Sequence, residues 1–191
     1  MVATPGSRQR GRVRLVARLA GLVVGALGTA CSSTSYDGAG MDASWAGDQK
    51  AAIGLAKKEV ARFSTPEQCS PARTINCGTL ALAYGSLAEY QILGGDTAAG
   101  ETSLREAKAA LGMTARDNQA SATGMVFRGV SEAYWKTGDK ARARTVIEDG
   151  RAAGGDEWLL SSSAAQAILQ DKARARRQAA ADDDSTPVPV R

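Results

Sequence analysis

Between Trp45 and about Gln178, apolar residues recur at intervals of three and four, the spacing that gathers them on one face of a helix. Ala122, Met125, Val126, Gly129, Val130, Ala133 and Tyr134 make an unbroken stripe and predict a long helix. It is expected to end at Thr137-Gly138-Asp139, where glycine can adopt the left-handed closing conformation and aspartate can cap the next helix. The following stripe, Ala143, Val146, Ile147 and Gly150, stops at Gly154-Gly155. Two helices joined by so short a turn must be antiparallel neighbours. The same plan occurs earlier: Leu80, Ala83, Tyr84 and Leu87, then Gly94-Gly95-Asp96, then Gly100, Leu104, Ala107 and Leu111. Ala52, Ile53, Ala56, Val60 and Phe63 predict a helix before these hairpins, and Ala165, Ile168 and Leu169 predict one after them that could cap the exposed end.

The fold class expected is therefore all-α, with antiparallel helical hairpins over residues 45–180. Aromatics are only 5% of the chain, which suits helices crossing on small residues better than a sheet. Residues 181–191, with Asp182-Asp183-Asp184 and two prolines but no apolar period, are expected to be a disordered tail.

The formal charge of +4 suggests an anionic partner until its location is considered. Arg8, Arg10, Arg12, Arg14 and Arg18 fall within the first 30 residues, which hold no acid, and the remainder carries a net charge of −1. A basic start followed by the short apolar run Leu19–Ala30 has the build of a signal peptide over residues 1–30, too short to span a bilayer comfortably. A nucleic-acid partner loses its main support once that leader is removed.

Leu27-Gly28-Thr29-Ala30-Cys31-Ser32-Ser33 resembles the lipobox of bacterial lipoproteins, with Gly28 where the family usually places leucine. The resemblance implies that Cys31 is acylated and becomes the new N-terminus. It also implies a multiply acylated anchor that holds firmly in a bilayer, and Ser32 implies the outer membrane facing the periplasm. The other reading is cleavage after Ala30 that leaves Cys31 a free thiol. Residues 31–44, polar and glycine-containing, are expected to be a lipid-anchored flexible tether.

Cys69 and Cys77 lie in a segment that contains Pro66 and Pro71, so it is a loop. In an oxidising envelope compartment they are expected to form a structural disulfide worth roughly 2 to 3 kcal/mol. Metal binding would need further ligands, and the chain has no histidine. A redox pair would normally be Cys-x-x-Cys, not a pair with seven residues between them.

Phe127, Val130, Tyr134, Gly138-Asp139, Ala143, Ile147 and Gly150 are similar to a tetratricopeptide (TPR) unit. Tyr84, Leu87, Gln91, Gly95-Asp96, Gly100, Leu104 and Ala107 follow the same plan, with Gln91 in the place of the family's tyrosine. The two units are 43 residues apart instead of the usual 34. The resemblance implies a short TPR-like solenoid whose first helices line a concave, partner-receiving surface. Phe127, Arg128 and Trp135 are the candidate partner-binding residues on that surface, aromatic residues being favoured anchors at interfaces. The other reading is that Phe127 and Trp135 pack against the neighbouring hairpin.

The absence of histidine excludes His-based triads and His-ligated metals. Glu89, Glu101, Glu106, Glu132, Glu148 and Glu157 are expected on solvated helix faces or helix ends, and no carboxylate stands out as a catalytic acid. Gly94-Gly95 and Gly154-Gly155 lack the Lys-Ser/Thr of a nucleotide loop. The basic run Lys172–Arg177 is either a solvated helix end or a contact for an anionic surface. Neither enzyme activity nor a cofactor nor a metal is expected. The expected function is a protein-protein interaction adaptor or assembly factor in the cell envelope, its partner an unidentified envelope protein. The alternative is a binding module for cell-wall glycan or peptide.

Overall fold

Asp48, Asp96 and Asp139 each follow a glycine with left-handed backbone (Gly47, φ 83°; Gly95, φ 88°; Gly138, φ 89°), and each starts a helix. Their carboxylates accept from the backbone N–H three residues on, at Ala51, Ala99 and Arg142, over 2.9–3.0 Å. This is the closing and capping chemistry that Gly-Asp is suited to. It divides the chain into three helical hairpins. The computed structural model describes residues 35–184. Within them the helices are α1 (Tyr36–Trp45), α2 (Gln49–Phe63), α3 (Cys77–Leu93), α4 (Thr97–Gly112), α5 (Arg116–Lys136), α6 (Lys140–Ala152), the short α7 (Asp156–Leu159) and α8 (Ser163–Asp184). The fold is all-α; the described residues contain one isolated β-bridge, Ser70 with Arg73, and no strand.

The hairpins α1–α2, α3–α4 and α5–α6 lie side by side in chain order, α2 packing on α3 and α3 on α5. Helices α3 and α5 run parallel, since Gly78 meets Thr114 just before α5, Gly85 meets Val126, and Gly129 meets Glu89. The approach is close because glycine stands at two of the crossings: a Cβ on Gly85 would come within 3.0 Å of Val126. Between α5 and α6, Gly150 admits the Phe127 side chain, 2.7 Å from where its Cβ would lie. The core joins Leu80, Ile92, Leu111, Val126, Phe127, Val130, Tyr134, Ile147 and Leu159 in one cluster. Ala164, Ala165 and Ile168 of α8 are buried and join the same cluster, so this helix closes the α5–α6 end, while residues 169–180 stand exposed.

The expected tether is corrected. Residues 36–44 of that segment belong to helix α1, which packs on α2. Gly40 lies against Tyr90, the Ser86 hydroxyl donates to Asp37 over 3.2 Å, and the Tyr36 N–H donates to the buried Glu59 over 3.3 Å. Helix α1 is held by small residues that allow close approach, so it lacks the large apolar stripe by which a helix is recognised in sequence. The tail is corrected in part, because α8 extends to Asp184 where disorder was expected from residue 181. The expected signal peptide, the acylation site Cys31 and the rest of the tail, residues 185–191, lie outside the described residues.

Cys69 and Cys77 form the expected disulfide, with an S–S distance of 2.05 Å. It ties the loop after α2 to the first residue of α3, and both sulfur-bearing residues are buried. This loop lengthens the first interval: the capping aspartates lie 48 residues apart across it and 43 apart across the next hairpin.

Candidate functional site, a groove along helices α3 and α5

Helix α5 turns a second face away from the core. Asn118, Ser121, Ala122 and Met125, then Arg128, Gly129, Glu132 and Lys136, follow one another at helical spacing along it. The first four line a cavity of about 230 Å³ shared with Thr74 and Ile75 in the loop before α3 and with Gly78, Thr79 and Leu82 in its first turns. Met125 and the last four line a second of about 630 Å³, shared with Met41 of α1, Glu89 of α3, and Ser161 and Ser163 before and at the start of α8. Met125, 37% exposed, lines both, so the two cavities adjoin along α5 and are together termed the groove. From Asn118 to Lys136 it runs roughly 27 Å at the rise of an α-helix.

The two ends differ chemically. Hydroxyl and amide groups of Thr74, Thr79, Thr114, Asn118 and Ser121 dominate the first end, with Ile75 projecting at 76% exposure. Charges dominate the second. Glu132 is already engaged, because the Ser163 hydroxyl donates to its carboxylate over 2.8 Å and the Ala164 N–H over 3.1 Å. A carboxylate at a helix N-terminus is favourably placed against the helix dipole, and this one fixes the start of α8 at the groove's edge. Met41 supplies apolar surface from α1 at 41% exposure, and Trp45, one helical turn further, is 74% exposed.

Glu89, expected on a solvated face, is part-buried at the floor of the groove. A Cβ on Gly129 would lie 2.6 Å from its Oε2, so the carboxylate occupies the space that this glycine leaves open. Burial raises its pKa to about 7; Lys136 and Arg128 oppose that rise, and Glu132 and Asp37 add to it. The neighbouring Tyr90 hydroxyl is pushed up by its own burial and by the charges of Glu89 and Asp37.

The expected partner-binding residues are separated by the fold. Arg128 is exposed and lines the groove. Phe127 is corrected: at 2% exposure it belongs to the core, packed where Gly150 of α6 leaves room, and it does not line the groove. Its ring forms the floor of a different opening, of about 450 Å³ between α4, α5 and α6, whose mouth is crossed by the Lys108–Asp149 ion pair at 2.8 Å. Trp135 is half-buried against the core, its ring under the Lys140 ammonium at 4.9 Å, and it does not line the groove. Glu89, Met41 and Lys136, which line the second cavity, were not singled out from sequence as site residues. The available signal was the α5 spacing itself, since Met125, Gly129, Glu132 and Lys136 are three or four residues apart beside Arg128.

No described helix is long and apolar enough to cross a membrane, and no group of three or more Cys, Asp or Glu side chains among the described residues is placed to hold a metal. Comparison with protein-family models, curated proteins and solved structures finds no match to this chain.

Proposed function

We propose that the protein is a non-catalytic adaptor or assembly factor of the bacterial cell envelope, lipid-anchored through Cys31, that holds a segment of a protein partner in the groove along α3 and α5. In this reading the three hairpins are a short TPR-like stack, and α1, α3 and α5, the first helices of each pair, carry the receiving surface. The observation that supports it is that two cavities adjoin at Met125 along α5, with apolar, hydroxyl and charged groups lining them. A length of roughly 27 Å suits about eight residues of extended chain.

The test is site-specific photo-crosslinking in cells, with the photoreactive residue at Met125 or at Arg144, an exposed position on α6. A single protein species captured from Met125 and not from Arg144 is expected. Equal capture from both positions, or retention of the protein on purified wall glycan with no protein captured, would remove the adaptor reading and favour a glycan-binding module. The anchor is tested separately by labelling cells with a clickable fatty acid: the wild-type chain is expected to take up label and Cys31→Ala to lose it.

A further inference from the structure

Of the two carboxylates in the groove, Glu89 is the one without a hydrogen-bond or ion-pair partner among the described residues, and the side chains of Arg128 and Lys136 beside it make no such contact either. No described residue donates a hydrogen bond to it or pairs with it within ion-pair distance, whereas Glu132 is held by Ser163 and Ala164, and Asp37 by Ser86. It opens on a cavity of about 630 Å³ whose apolar lining comes from Met41 and Met125. A carboxylate partly removed from water, with no donor, gains most from a ligand that brings one, and a charged donor makes the stronger bond. Lysine and arginine match the remaining chemistry too, because their methylene stems lie well on thioether and methylene surface while the cationic head reaches beyond it.

We propose that the groove seats a lysine or arginine side chain of the partner segment, its stem against Met41 and Met125 and its cation on the Glu89 carboxylate over Gly129. This rests on the groove being the partner-binding surface. The charged groups facing Glu89 are Asp37 from α1 and Arg128, Glu132 and Lys136 from α5. Arg128 and Lys136 are exposed on flexible stems, where water and salt screen their repulsion of an incoming cation. The contact with Glu89 forms where screening is weakest.

Pairing with a cation needs the ionised carboxylate. With the group at about 7, its ionised fraction falls roughly tenfold between pH 8 and pH 6. Capture should therefore weaken about tenfold over that interval.

The experiment titrates the full-length chain, in detergent, into fluorescent eight-residue glycine-serine peptides whose central residue is lysine, arginine, norleucine or glutamate, followed by anisotropy at pH 6, 7 and 8. Lysine and arginine peptides are expected to bind about tenfold more tightly than norleucine at pH 8. That advantage should nearly vanish at pH 6 and be absent at every pH in Glu89→Gln, with no fall in melting temperature. Tightest binding of the glutamate peptide, or a lysine preference that survives Glu89→Gln, overturns the proposal. If all peptides bind alike and Met125→Trp, which fills the groove, abolishes binding, the cation proposal fails while the groove stands. If no peptide binds and Met125 captures no protein in cells, both fail.

Discussion

Two residues of α5, two positions apart, show how narrowly a single side chain's role is decided. Met125 and Phe127 are 200° apart around a helix; Phe127 is the buried one, at 2% exposure, and Met125 opens on the groove. Phe127→Ala should therefore lower stability by about 3 to 5 kcal/mol, read by chemical denaturation, as expected when a large core side chain is removed and its site cannot collapse. Met125→Ala should change it by less than about 1 kcal/mol, since an exposed side chain leaves no cavity. Glu89 carries the opposite balance. The unfolded chain releases this proton near 4.5, whereas the folded chain keeps it up to about 7. The folded state thus binds more protons between those values, so this group's contribution makes stability fall as pH rises from 4.5 to 7 and level off above. Full ionisation costs about 3 kcal/mol at the usual conversion. Glu89→Gln should accordingly melt higher than wild type at pH 8, with the difference disappearing at pH 4; equal melting at pH 8 would show the carboxylate to be well solvated. A carboxylate that destabilises the fold at neutral pH is easier to understand as a binding group than as a structural one.

At the scale of elements, the repeated glycine-aspartate turn does most of the organising. Gly138 has a φ of 89° and Asp139 caps α6, so Gly138→Ala places a Cβ in left-handed backbone and Asp139→Ala leaves a helix N–H without its acceptor. Each should cost about 1 kcal/mol by denaturant titration, and the same pair at Gly95 and Asp96 should behave alike. Because these positions are at the turns and not in the groove, partner capture at a fixed folded fraction should not change. The turn also explains which hairpin was visible in the sequence. Gly47-Asp48 repeats the chemistry of Gly95-Asp96 and Gly138-Asp139 and marks a hairpin by itself. Helix α1 before it packs through Gly40 and Ala43 while its large apolar residues Met41 and Trp45 stay exposed, so periodicity alone reads it as linker. Helices with Leu104, Leu111, Val146 or Ile147 on their buried sides were legible because each buries large side chains on one face.

Over the whole molecule, the disulfide joins the N-terminal hairpin's exit to the central helix α3, which packs on α1, α2, α4 and α5. Replacing both Cys69 and Cys77 with serine should lower stability by roughly 2 to 3 kcal/mol, through a freer unfolded chain, while the far-ultraviolet helical signal of the folded protein stays the same. Loss of helical signal as well would mean that the loop nucleates α3 and is more than a staple.

Helix content, hairpin turns, the core stripes of α4 and α6 and the disulfide were determined by sequence alone, because each depends on residue types a few positions apart and on local backbone geometry. Arg128, an expected partner-binding residue, lines the groove, whereas Met125 and Gly129, read from sequence into the apolar stripe of α5, open on it. Which side of α5 faces solvent was settled only by packing, since Phe127 is admitted to the core by Gly150, a residue 23 positions away and on another helix. The same holds for Glu89, whose burial is created by Gly129 on α5 and by the parallel run of α3 and α5. Contacts of that kind depend on how helices cross, and no interval along the chain records it.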